Sequence, residues 1–250
     1  MDEPSQSAKT NYAEIAERYD AERLRFHIPP DDVLATLADR LGRRVVAVDL
    51  CCGTGNYLKA QLETGPGDIE WHGIDPSPEM LDVAREKVTG VRLIEGTAEA
   101  LPFENGSVDY LYTSFTFHHF EKAMALDEAL RVLADGGMLR IVNISPERTP
   151  DWWPSYFFPE AAEIDRRRFW SERQMFAALE ERGFQVDLRM EYRRHYQPKS
   201  RILSDALNRS MSQLAMLDDA AYERGLQRIR ADSRKRVITE MAVVDIRAER

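Results

Sequence analysis

From Val45 to Leu50 the chain runs almost unbroken through apolar residues, three of them valine, and stops at Cys51-Cys52-Gly53-Thr54-Gly55. A short β-branched run closed by glycines is the pattern of a strand buried on both faces, which a parallel sheet covered by helices provides. The rest of the chain repeats the alternation that such a sheet needs. Ile69 to Asp75, Val91 to Glu95, Val108 to Ser114 and Met138 to Ile144 read as further strands. Asp31 and Asp32 can cap a helix carried by Val33, Leu34, Leu37 and Leu41 and ended at Gly42. Ser77 caps another, with Pro78 in its first turn and Met80, Leu81, Ala84 and Val88 inward. Ala123, Leu126, Leu130 and Leu133 form a helical stripe closed by Gly136-Gly137.

At the ends the pattern is similar. Tyr12, Ile15, Ala16 and Tyr19 mark one helix over Asn11 to Phe26, stopped by Pro29-Pro30. Ser171 with Gln174 forms a capping box for a helix ending at Gly183, and Phe184, Val186, Leu188 and Met190 then alternate as a strand. Ser200 to Leu217 and Asp219 to Arg230 read as helical, and Val237 to Ile246 as the final strand. The implied fold is α/β, a Rossmann-like doubly wound sheet with helical lid elements, whose ligands bind beyond the C-terminal ends of the strands. A single domain is expected over 1–250: a helical cap at 1–42, a core at 43–192, a helical insertion at 193–234 and a last strand at 235–250.

Composition narrows the class. The 250 residues, 43% hydrophobic and 31% charged, suit one large globular domain. No apolar run reaches a membrane span and Met1 to Thr10 is polar and acidic, so a cytoplasmic location is expected. The only cysteines, Cys51 and Cys52, are neighbours that can neither staple distant segments nor set a metal-ligand spacing; no metal site is expected. A net charge of -9 repels phosphate backbones, so nucleic acid is not an expected partner. Arg189, Arg193, Arg194, His195, Lys199 and Arg201 form the one basic cluster, read as a solvated face.

Gly53 and Gly55 let the loop after the first strand turn sharply and bring a ligand close to the main chain. Asp75 closes the second strand 20 residues after Gly55, where a carboxylate can accept both hydroxyl hydrogens of a ribose. A dinucleotide site would want a third glycine or alanine where Leu58 stands, so no pyrophosphate is served there, which favours a cofactor with an amino-acid tail.

On these residues the chain resembles the class I S-adenosylmethionine-dependent methyltransferases of the small-molecule, ubiquinone- and menaquinone-methyltransferase-like kind. Their first motif, commonly Asp-Leu-Gly-Cys-Gly-Thr-Gly, appears here as Asp49-Leu50-Cys51-Cys52-Gly53-Thr54-Gly55. The resemblance continues through Gly73 to Leu81, Glu95 to Phe103 and Arg131 to Gly137. It implies a seven-stranded, mostly parallel sheet with an antiparallel last strand, and S-adenosyl-L-methionine as cofactor. The cofactor-binding set it implies is Tyr19, Asp49, Cys51, Gly53, Gly55, Asp75, Pro76, Met80, Thr97, Ala98, Glu99 and Ser114. Asp75 holds the ribose, Pro76 and Met80 flank the adenine, and Thr97, Ala98 and Glu99 face its edge. Thr97 stands where many relatives carry aspartate, which leaves backbone contact at Ala98. Tyr12 and Tyr19 would fold over the cofactor, with Arg23 or Arg25 near its carboxylate.

Methyl transfer needs alignment above all, with a base only if the acceptor must lose a proton. His119, then His118, lie just past the fourth strand and are the candidate bases; packing beneath the cofactor is the alternative role. The Asp/Asn-Pro-Pro-Tyr/Phe and Pro-Cys motifs of nucleic-acid methyltransferases are absent, which with the acidic balance points to a small substrate, an apolar or aromatic one if the aromatic cluster that follows lines its pocket. Trp152, Trp153, Tyr156, Phe157, Phe158, Phe169 and Trp170 either line its pocket or pack a lid. The helical segment Lys199 to Arg230 is an expected lid or homodimer surface. A silent S-adenosylmethionine-binding interaction subunit and an NAD(P)-dependent oxidoreductase are the alternative functions.

Overall fold

The computed structural model describes residues 28–250; the expected helix over Asn11 to Phe26, with Tyr12, Tyr19, Arg23 and Arg25, lies outside them. Helix α1 (Asp32–Leu41) precedes β1 (Val45–Leu50), α2 (Asn56–Thr64), β2 (Ile69–Asp75), α3 (Pro78–Lys87), β3 (Arg92–Glu95) and β4 (Val108–Ser114). Then come α4 (Lys122–Val132), β5 (Leu133–Ile144), α5 (Trp153–Phe157), α6 (Pro159–Arg168), α7 (Glu172–Glu180) and β6 (Gln185–Pro198). Last are α8 (Lys199–Leu207), α9 (Ser212–Ala215), α10 (Asp219–Ala231) and β7 (Arg236–Glu249). Seven strands form one sheet in the order β3-β2-β1-β4-β5-β7-β6. β1 to β5 pair in parallel. β7 runs against β5: Gly136 N–H donates to Arg250 O and Ser145 N–H to Ala242 O, so one number rises as the other falls. The doubly wound, mostly parallel sheet is thus the expected one.

The described residues divide into two compact units. One comprises the residues up to Asn143 with Phe176–Leu188 and Asp245–Arg250; the other comprises Ile144–Met175 and Arg189–Val244. In the second unit Trp153, Phe157 and Phe158 are fully buried with Ile202, Leu214, Tyr222 and Ile229. Gly225 on α10 makes room for them, since a Cβ there would fall 2.0 Å from Phe158 Cδ1. These three aromatics therefore fill a core instead of lining a pocket. Among the described residues no helix is long and apolar enough to cross a membrane.

Several boundaries differ from the sequence reading: the stretch Ser200 to Leu217, read as helical, is broken between Leu207 and Ser212, and the last strand spans Arg236–Glu249. Gly136-Gly137 does not close a helix, which ends at Val132; it lies inside β5. There Val108 pairs with Leu133 but Tyr110 with Met138, so β5 bulges, with Gly136 at φ +73. β6 runs on to Pro198, so 193–198 are strand and the helices that follow begin at Lys199. Its exposed outer half carries no alternating pattern to read. The basic side chains there pair locally, Arg193 with Glu191 and Arg194 with Glu240.

Within the first unit the buried Asp31 carboxylate collects five donors. Oδ1 accepts the Val33 and Leu34 N–H groups, each at 2.9 Å, and faces Arg140 Nη1 at 2.9 Å. Oδ2 accepts the Tyr57 and Tyr110 hydroxyls at 2.5 and 2.6 Å. Burial pushes both phenols well up, so each remains a donor. Arg140 also makes a two-point pair with Asp245 of β7 at 2.9 and 2.8 Å. Removing one partner of such a network strands the other charges. Asp31→Ala is expected to lower the unfolding free energy by about 3 to 5 kcal/mol in urea titration; a loss below about 1 kcal/mol would show the network to be dispensable.

Candidate active site

The loop after β1 is shaped by three left-handed residues: Cys51 at φ +55, Gly53 at φ +53 and Gly55 at φ +75. Glycine takes this conformation at little cost, but Cys51 does not. Gly55 also lies so close to α3 that a Cβ would meet the Ala84 Cβ at 3.2 Å. The loop is strapped to β2 by the Asp75 carboxylate, whose Oδ2 accepts Gly53 N–H at 2.8 Å and whose Oδ1 accepts Ser77 N–H at 2.9 Å. Each oxygen keeps lone-pair capacity for a further donor such as a ribose hydroxyl. Burial pushes the Asp75 carboxyl up, against the pull of these two amides.

Leu58, at the position of an absent third glycine, is fully buried in α2. The room comes from the opposite side: a Cβ on Gly73 of β2 would stand 2.9 Å from Leu58 Cδ1 and 2.9 Å from Cys52 Sγ. The glycine that permits close helix packing has moved from helix to strand.

Asp49, near the end of β1, is 3% exposed, and its Oδ2 has no hydrogen-bond partner. Burial, then the nearby Asp75 charge, pushes its carboxyl well above the ordinary carboxylate range. Burial likewise pushes the Cys51 and Cys52 thiols far up, with Asp75 and Asp49 adding to the effect. Neither offers a thiolate nucleophile at neutral pH.

After β3, Gly96 N–H returns to Asp75 O at 3.2 Å. This brings the segment Thr97 to Glu99 alongside Asp75; Thr97 is exposed, Ala98 buried and Glu99 half-buried. Met80 is buried on α3, capped by Ser77, while Pro76 is exposed. Glu99 Oε1 accepts Glu121 N–H at 2.8 Å, at the start of α4. Farther along α4, Glu128 and Arg131 hold the stretch Leu101 to Asn105. Arg131 falls within a motif quoted above, but nothing in a linear pattern says that an i, i+3 pair reaches back to that loop.

β4 ends at Ser114, and Phe115 follows at φ +57 with its N–H on Val142 O at 2.8 Å. The chain then winds one 3₁₀ turn, Phe117–His119, placing His118 half-buried and His119 exposed, their rings 4.0 Å apart. Phe117 is buried, and the Thr113 and Thr116 hydroxyls meet at 2.5 Å. Cys51, Gly53, Gly55, Asp75 and Ser114 thus cluster at the C-terminal ends of β1, β2 and β4, with Asp49 just inside.

A glycine-turned loop and an acid with spare lone pairs at this edge form a candidate nucleoside site of an α/β fold. Residues 32–137 match the family model described as a methyltransferase domain. A demethylmenaquinone methyltransferase of Staphylococcus aureus is 31% identical over 157 residues, 60% of this chain and 65% of that relative. The match thus spans less than two thirds of the curated relative's length. Among solved structures, an S-adenosylmethionine-dependent methyltransferase from Aquifex aeolicus superposes with a TM-score of 0.55 at 24% identity, covering 73% of this chain and 92% of that one. Phosphoethanolamine N-methyltransferase 2 of Haemonchus contortus, in complex with phosphomonomethylethanolamine and S-adenosylhomocysteine, does so at 0.56 and 19%, covering 95% and 57%. Residues 32–137 are thus similar to a methyltransferase domain, and the chain shares the fold of the S-adenosylmethionine-dependent methyltransferase from Aquifex aeolicus.

The left-handed Cys51 gives a direct test of the loop. Cys51→Gly is expected to stabilise the protein by about 0.5 to 1 kcal/mol, and Cys51→Val to destabilise it by at least about 1 kcal/mol. Urea unfolding reads both; equal stability of the two variants would contradict the loop conformation.

Proposed function

We propose that this protein transfers a methyl group from S-adenosyl-L-methionine to an O, N or C nucleophile of a small molecule. The observation that carries the reading is the Asp49 carboxylate, buried beside the Gly53–Gly55 loop with an unpartnered oxygen. A buried orphan acceptor is costly, and the ammonium group of an amino-acid tail would satisfy it. Leu58 in place of a third glycine fits the same ligand, which carries no pyrophosphate. Asp75 would take the ribose, Met80 and Pro76 the faces of the adenine, and Thr97 with the Ala98 backbone its edge. Gly53, Gly55 and Cys51 would lie along the tail and Ser114 near the rim.

When bound, the cofactor supplies an activated methyl carbon, so the protein's own work is alignment, worth roughly 7 to 11 kcal/mol when done well. His119, exposed on the turn after β4, is the proposed base, with His118 beside it. His119→Ala should lower kcat by about 100-fold while leaving cofactor affinity unchanged, and unchanged kcat in both His119→Ala and His118→Ala would rule out a histidine base. The Staphylococcus aureus relative's name makes demethylmenaquinone the first acceptor to assay.

Calorimetry tests the cofactor. S-adenosylmethionine and S-adenosylhomocysteine should bind and NAD should not; binding of NAD alone would replace this reading with an oxidoreductase, and cofactor binding without turnover would favour the silent subunit. The raised Asp49 carboxyl gives a sharper signature. In the free protein it holds its proton to higher pH than an ordinary carboxylate, and facing an ammonium it ionises. Binding should therefore release a proton over the pH range in which the free carboxyl still holds it, seen as a pH-dependent contribution of the buffer's ionisation enthalpy to the heat. Asp49→Asn should abolish that release and weaken binding by about tenfold.

A further inference from the structure

We infer that Glu128 and Arg131 of α4 are positioning residues for the adenine-edge loop, and so set the protein's preference for adenine over other purines. The inference rests on the cofactor reading above and deepens it. Arg131 spends its whole fork on two tasks. Its Nε and Nη2 hold Glu128 at 2.8 and 2.6 Å, a two-point pair that fixes the guanidinium plane. Its outer edge then donates to three acceptors of the loop: Leu101 O at 3.0 Å, Phe103 O at 2.8 Å and Asn105 Oδ1 at 2.8 Å. Glu128 Oε1 in turn accepts Leu101 N–H at 2.7 Å, so Leu101 is held at both its N–H and its carbonyl.

The loop is tied a second time at the other end of the helix, where Glu99 accepts Glu121 N–H. Ala98, whose backbone is the expected partner of the adenine edge, directly precedes both ties, and on its other side Gly96 N–H is held by Asp75 O at 3.2 Å. A backbone edge discriminates between an amino and an oxo group only if it cannot shift to suit either one. Two ties to one rigid helix, three residues or fewer from Ala98, supply that restraint. Ordinary packing would not need it, since Leu101 is already buried and Phe103 packs edge-on against His72 at 5.1 Å. Lysine cannot replace Arg131, because a single ammonium cannot hold Glu128 at two points and reach three loop acceptors.

The test is calorimetry on the full chain with S-adenosylhomocysteine and with S-inosylhomocysteine, which carries a 6-oxo group where adenine has its amine. The wild type should prefer the adenosyl ligand by at least about tenfold. Arg131→Lys should bind S-adenosylhomocysteine about tenfold more weakly and prefer it by less than about threefold. Glu128→Gln, which keeps an acceptor for Leu101 N–H, should fall between. A loss shared equally by both ligands, with the preference intact, would reduce the pair to a structural role and overturn the inference. Should Arg131→Ala fail to fold, the charge-conserving lysine variant carries the test. Wild type that binds neither ligand would overturn the cofactor reading and this assignment together. Wild type that binds, with both variants matching it, would overturn this assignment alone.

Discussion

A carboxylate out of water is tolerable only when surrounded by donors, and Asp31 meets that condition with groups from four separate elements. The first turn of α1 gives two amides, α2 gives Tyr57, β4 gives Tyr110 and β5 gives Arg140. Each donor arrives only if its element is in register, so the charge enforces the order of the central strands. Through Arg140 the constraint passes to Asp245, and from there to Arg247, which returns to Asp32 at 3.1 Å. The stacking of Tyr57 on Tyr112, with ring centres 3.8 Å apart, extends the same arrangement toward β4's functional end.

The loops that would bind the nucleoside inherit this rigidity at one remove. Asp75 straps the β1 loop to β2, and Gly96 N–H returns the β3 loop to the Asp75 carbonyl. One residue thus carries both a main-chain and a side-chain tie between adjacent loops. Its remaining lone pairs are what a ribose would use, so the group that shapes the loops is also the one proposed to hold the sugar.

Much of this was legible in the sequence where a local rule applied. β1, β2 and β4 begin and end where their apolar runs do, and the caps at Asp31, Ser77 and Ser171 are made by the expected side chains. What escaped was tertiary. Gly136-Gly137 looks like a helix stop, but its left-handed residue serves a bulge that exists only because β5 pairs with β4. Asp31 reads as a cap, yet three of its five donors come from distant elements. The outer part of β6 has no buried face and hence no period to detect. At the site, Asp75 and the glycine loop were legible by spacing, whereas the grip of Arg131 on Leu101 and Phe103 depends on a fold that brings residues about thirty apart into contact.

The adjacent cysteines have one further use. Burial and neighbouring carboxylates push the Cys52 thiol up, so its alkylation in the native state is expected to wait for the loop to open, while the half-buried Cys51 serves as the comparison. The rate of labelling by iodoacetamide then becomes a clock for the breathing of that loop, set by the free energy of local opening. In effect the chain carries an intrinsic reporter of its own fluctuations, at the spot where a ligand would be expected to quench them.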